Sequence, residues 1–157
     1  MAKAAIETPI GRVTVVASDQ GVSRVWFGDL ADDGGSSASS AAHVEVAVTQ
    51  LVEYFDGRRS RFEVALDRRA RAGFRGEVLD ALEHVAFGET VTYGQLAART
   101  GRPNAARAVG SAMATNPIAI IVPCHRVVPS SGGVGHFGGG VAAKEWLLRR
   151  EGSLATS

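Results

Sequence analysis

The hydrophobic pattern of the chain changes period near residue 70, and that change limits the folds open to it. Before it, Val- and Ile-rich runs, "AIETPIGRVTVVAS" and "GVSRVWF", are separated by the turn signal "SDQG" and read as strands. "RFEVAL" alternates and predicts one more. Between them, "HVEVAVTQLVEYFDG" sets Val46, Leu51, Val52 and Phe55 at roughly helical spacing and ends on Gly57, a C-cap. "DLADDGGSSASSA" is polar and small, so a mobile loop is expected there. From residue 74 the pattern is helical: Phe74, Val78, Leu82 and Val85 form one stripe closed by Gly88. Thr92 and Gln95 make a capping box, and Gly101 ends that helix. "RPNAARAVGSAMATNP" follows, with Pro103 in its first turn and Pro117 as its stop. Two short helices around a tight turn predict a helix-turn-helix. The expected fold is α+β in two lobes: a small β-rich lobe over 1–70 and a mostly helical lobe over 71–157, joined at "DRRARAG".

Composition narrows the class. With 45% hydrophobic and 21% charged residues the chain can bury a core. No stretch approaches the ~20 apolar residues a membrane span needs, and "MAKAAIETPIG" lacks a signal-peptide core, so a soluble cytoplasmic protein without membrane contact is expected. One cysteine excludes an internal disulfide and a Cys-rich zinc site; His43, His84, His125 and His136 show no ligand spacing, so no metal is expected. Residues 1–70 hold eight basic and ten acidic side chains, and 71–157 hold nine and six, which permits an anion-binding face on the second lobe.

The second helix of the pair has almost no side-chain bulk. Ala105, Ala106, Ala108, Gly110, Ser111, Ala112 and Ala114 leave Arg107 as its only charge. Such a helix either packs closely in a core or brings its backbone against a nucleic-acid groove. Base reading by long polar side chains is excluded, so DNA binding would rely on shape and phosphates.

Cys124 stands in "IIVPCHRVVPSSGG". One reading is a structural cysteine beside a solvated His–Arg pair; the other is a nucleophile, which needs a base or positive charge nearby. Adjacent side chains diverge, so His125 would act through a water, oriented by a carboxylate. Glu145 and Glu151 are both candidates on position.

"IIVPCHRVV" resembles the active-site motif of the O6-alkylguanine-DNA alkyltransferases, and the likeness runs over about 65 residues, from "FGETVTYGQLAARTG" to "KEWLLRREG". The resemblance implies a ribonuclease-H-like N-terminal lobe and an active-site loop in the second. It implies a monomeric, cofactor-free DNA-repair methyltransferase associated with the nucleoid, which binds the minor groove of double-stranded DNA carrying O6-alkylguanine. It would flip the base and move the alkyl group from O6 of guanine, or O4 of thymine, irreversibly to Cys124. His125 would be the base, Glu151 its orienting carboxylate, Asn116 a holder of water and backbone, and Tyr93 the residue that turns the nucleotide out. Arg107 would fill the vacated stack. Arg75, Gly94, Arg102, Ala105, Ala106, Ala108, Gly110 and Ser130 would meet DNA, and Val127, Phe137 and Gly138 would line the pocket.

Two positions depart from the family pattern: Phe137 where a tyrosine is common, and Gly138 where a serine occurs. The expectation is weaker side-chain help for the leaving base and more room for bulky adducts. Relatives that bind lesions without removing them lack the cysteine this chain has, and a thiol hydrolase or redox sensor on another fold is the remaining alternative.

Overall fold

The computed structural model describes residues 1–31 and 35–154, so residues 32–34 of the expected mobile loop lie outside the described residues. The chain divides into two compact units, Met1–Ala70 and Arg71–Ser157.

In the first unit, β1 (Ala2–Thr8), β2 (Gly11–Ser18) and β3 (Gly21–Phe27) form an antiparallel sheet in that order. The run "AIETPIGRVTVVAS" is therefore two strands. They turn at Thr8–Gly11, where Thr8 Oγ1 accepts from Ile10 N at 3.1 Å and Gly11 takes a φ of 103°. Helix α1 (Ala38–Phe55) packs on the sheet. Its first turn lies inside the expected loop, because Ser37 and Ser40 cap it reciprocally. Its buried face is Val44, Ala47, Leu51, Tyr54 and Phe55, whereas Val46 and Val52 are 46% and 40% exposed. "RFEVAL" is not a strand; only Leu66 bridges, in parallel, to Val22. The Gln50 amide side chain bonds both backbone groups of Glu63, at 2.8 and 3.2 Å, taking the place of a strand partner.

The second unit holds α2 (Gly73–Leu82), β4 (Val91–Thr92), α3 (Tyr93–Arg99), α4 (Ala106–Ala114), a 3₁₀ turn (Cys124–Arg126), β5 (Val127–Val128) and α5 (Val141–Arg150). Val78, Leu82 and Val85 are buried, yet α2 stops at Leu82 rather than running to Gly88. Tight turns follow, and the Val85 carbonyl accepts from Arg126 at 2.7 Å instead of closing a helix. The capping box of Thr92 and Gln95 starts α3. Pro103 is not in the first turn of α4; it sits in a turn closed by Ala105 N to Arg102 O at 3.0 Å, and the helix starts at Ala106. β4 and β5 pair in parallel, Val91 with Val127 and Thr92 with Val128. That short pairing sets the start of α3, at Tyr93, beside the turn carrying Cys124.

Among the described residues no helix is long and apolar enough to cross a membrane.

Candidate active site

Two successive tight turns deliver Cys124. Helix α4 ends at Ala114, and Arg75 from α2 bonds Thr115 Oγ1 at 3.0 Å and Thr115 O at 2.6 Å, a cation at a helix C-terminus. Asn116 then pinches the following segment: Oδ1 accepts from Ile118 N at 3.1 Å and Nδ2 donates to Val122 O at 2.9 Å. Inside the pinch, Ile120 has a φ of 73°, and Ile121 N bonds Ala119 O at 2.9 Å, a γ-turn. A β-branched residue in that region is strained, by about 1–3 kcal/mol. Pro123 (φ −82°, ψ 65°) centres an inverse γ-turn closed by Cys124 N to Val122 O at 2.8 Å.

Behind Cys124 lies a buried charge cluster. His125 Nε2 is 2.7 Å from Glu151 Oε2. Arg126 donates to Glu151 through Nε (2.7 Å) and Nη2 (3.1 Å). Burial pushes the Glu151 carboxyl up, but the hydrogen bonds from His125 and Arg126 and the charge of Arg126 outweigh it and hold it at about 2. An ionised carboxylate only accepts, so the proton of the imidazole sits on Nε2. Burial, opposed by Glu151, keeps the imidazole below its ordinary value and therefore neutral. Its Nδ1 is left as a bare lone pair, buried and without a hydrogen-bond partner among the described residues. The earlier alternative of a solvated His–Arg pair is corrected: His125 has no exposure and Arg126 is 7% exposed, because Glu151 and Val85 take their polar atoms.

Burial pushes the Cys124 thiol up, opposed by Asn116, by the charge of Lys144 and by backbone N–H groups. The sulfur faces a cavity of about 400 Å³ lined by Tyr93, Gly110, Cys124, Phe137 and Gly138, together with Met113, Ala114 and His136. Burial and the nearby Cys124 raise the Tyr93 phenol. A Cβ on Gly110 would stand 4.0 Å from the Tyr93 ring, in ordinary van der Waals contact with it. Val127 is not part of the lining; it is fully buried in β5 and its carbonyl is bonded by Lys144.

Arg107 is exposed on α4, flanked by half-buried Ala106 and exposed Ala108, with Ala105 half-buried at the N-cap. Arg102 stacks its guanidinium 5.0 Å from the Phe74 ring centre, Gly94 is half-buried in α3, and Ser130 is exposed. The residues that the sequence reading missed are Arg126, Lys144, Met113, Ala114 and His136. A signal existed for Arg126, a charge flanked by "VPCH" and "VV". Lys144 had one too, at the i position of an apolar i, i+3, i+4 set with Leu147 and Leu148.

Residues 1–68 match the ribonuclease-like domain of 6-O-methylguanine DNA methyltransferase, and residues 73–153 match its DNA-binding domain. The chain belongs to the O6-methylguanine-DNA methyltransferase family. A relative from Mycolicibacterium paratuberculosis, named methylated-DNA–protein-cysteine methyltransferase, is 38% identical over 148 residues, 93% of this chain and 89% of its own length. One of the same name from Salmonella typhimurium is 47% identical over 105 residues, 67% of this chain but 61% of its own length. Among solved structures, Mycobacterium tuberculosis OGT in complex with DNA is 37% identical, with a TM-score of 0.83, covering 97% of this chain and 94% of that one.

Proposed function

We propose that this family member repairs DNA by moving the alkyl group from O6 of guanine, and from O4 of thymine, onto Cys124. The observation that carries the reading is the buried neutral His125, its Nε2–H given to Glu151 and its Nδ1 lone pair without a partner among the described residues. The thiol proton passes through a water to Nδ1. The thiolate attacks the alkyl carbon, the S–C bond forms as the C–O6 bond breaks, and the guanine leaves through its oxygen and takes up a proton. The thioether has no route back, so each chain acts once, as a monomer without cofactor.

A guanine O6 inside a duplex is not open to such attack, so the base must leave the stack. The cavity below Tyr93 receives it, exposed Arg107 takes its place, and the bare surface of α4 lies in the minor groove. Arg75, being bonded to Thr115, braces the end of α4 from the edge of that surface. A protein acting on DNA in this way would work in the cytoplasm, at the nucleoid.

Incubation with a duplex containing O6-methylguanine should add one methyl per chain, on Cys124, by peptide mass spectrometry. Cys124→Ala should abolish transfer and keep DNA binding. Tight binding without any transfer by the wild-type chain would refute the reading. The open lining at Gly138 also predicts ready labelling by O6-benzylguanine; none under conditions where methylated DNA reacts would rule out the wider pocket.

A further inference from the structure

The cavity beside Cys124 holds one polar side chain that the transfer step has not used. Of the residues lining it, only Tyr93, Cys124 and His136 carry a side-chain hydrogen-bond donor. Tyr93 and Cys124 already have roles; His136 has none.

The chain on either side fixes where His136 stands. Gly135 takes a φ of 80°. A Cβ there would come within 3.1 Å of Pro129 Cδ and 3.4 Å of the Tyr93 hydroxyl, so the bare main chain lies against both. On the other side, the Phe137 ring stands edge-on to the His125 ring, with 6.4 Å between centres and 80° between planes. The His136 carbonyl accepts from Lys144 Nζ at 3.2 Å. The backbone at 136 is therefore held between Tyr93 and His125, with its carbonyl turned to α5. The residue itself is exposed at the cavity, and its imidazole has no hydrogen-bond partner among the described residues.

The reaction creates a need for such a group. Breaking the C–O6 bond leaves its electron pair on the purine, where the charge spreads from O6 into the ring nitrogens. Phe137 and Gly138 offer that charge no side-chain donor. The alkyl carbon has to lie between O6 and the sulfur, so O6 faces inward to Cys124, which is 7% exposed. The rest of the ring then points to the opening, where His136 stands. An imidazole keeps at least one N–H in either protonation state. A donor that meets charge growing in the transition state binds more strongly as the reaction proceeds, and so raises the rate.

We propose that His136 is a substrate-contacting residue of the transfer reaction, its imidazole N–H donating a hydrogen bond to a ring nitrogen of the departing purine. No proton leaves the imidazole; the S–C bond forms and the C–O6 bond breaks as before. The role rests on reading the chain as a guanine O6 alkyltransferase.

The test is single-turnover transfer, at saturating protein, from four duplexes. One contains O6-methylguanine; in the others N1, N3 or N7 of that base is replaced by C–H. His136→Ala should slow transfer from the parent duplex about tenfold. On one of the three analogues the variant and wild type should react at the same rate, because the acceptor is already gone. Alkylation of Cys124, the only cysteine, by iodoacetamide without DNA should be unchanged by the substitution, since no purine takes part. A deficit of equal size on all four duplexes, or a matching loss with iodoacetamide, would mean that His136 only shapes the loop, and the assignment falls. It falls equally if His136→Ala transfers from the parent duplex at the wild-type rate. Absence of transfer by the wild-type chain would sink the repair reading and this role with it, whereas wild-type transfer matched by the variant sinks this role alone.

Discussion

An exposed ion-pair network of the first unit and the buried cluster of the second handle charge in opposite ways. In the first, Arg12 bridges Glu7 and Asp29 with side chains that are 46%, 72% and 73% exposed, and Arg58 meets Asp56 in the same manner. In the second, His125 and Glu151 have no side-chain exposure and Arg126 has 8%. Water screens the first kind of pair, so it contributes little to the fold. The second kind forfeits hydration and depends on every lone pair and proton being matched. In the Glu151 cluster each carboxylate oxygen is bonded, and the one polar atom without a partner among the described residues is His125 Nδ1. The His125–Glu151–Arg126 cluster is buried on both sides of its pairs, whereas the part-buried Asp67 and Arg71 each meet a partner that is 64% exposed.

The strongest way to break that contrast is Arg126→Met. It removes the cation bonded to both oxygens of buried Glu151, and losing one member of a buried pair costs about 3–5 kcal/mol. Denaturant unfolding of the second unit should show a loss of that size. Transfer to Cys124 should fall as well, because a protonated Glu151 no longer fixes the tautomer of His125. A loss below about 1 kcal/mol would put the cluster in the same class as a surface pair.

Acid should separate the units next. Glu151 and His125 both titrate lower in the folded chain than their ordinary values of 4.5 and 6.5. Their stabilisation is therefore present above those values and is lost as the pH falls, starting near 6.5 for His125 and ending near 2 for Glu151. The carboxylate's share is of order 3 kcal/mol. Chemical-shift perturbation on acidification should report loosening first around Cys124–Arg126 and Glu151. Loosening first at the β1–β2–β3 sheet would contradict the assignment of acid lability to the buried cluster.

Much of this contrast was legible in the residues, and the gaps have identifiable causes. The change of period near residue 70 places the sheet and the helices, and the Thr92–Gln95 capping box fixes the start of α3 because it is a local device. The face of α1 was misread because an exposed valine counts as hydrophobic in any pattern; Leu51 and Phe55 point inward, Val46 and Val52 do not. "RFEVAL" alternates like a strand, but its partner is the Gln50 side chain, which no pattern in 61–66 encodes. Spacing alone left Glu145 and Glu151 equal. The fold separates them, giving Glu145 to Arg149 at the surface and Glu151 to His125. The contributions of Met113, Ala114 and His136 to the cavity depend on how α4 and the glycine-rich loop meet, which is tertiary information.

The smallest effect should come from the most conspicuous ion pair of the first unit. Arg12→Gln removes contacts to both Glu7 and Asp29, yet the unit keeps the backbone pairing of Glu7 with Arg12 and the Gly28 N to Arg12 O bond at 2.8 Å, which do not depend on the side chain. The guanidinium is solvated in the folded chain and in the unfolded one, so little interaction energy distinguishes the two states. Melting midpoints of Arg12→Gln and wild type should agree within the scatter of repeat melts, and raising the salt concentration should leave any residual difference smaller still. A drop comparable to that of Arg126→Met would show that the surface pairs also hold the fold, and the opposition between network and cluster would lose its physical basis.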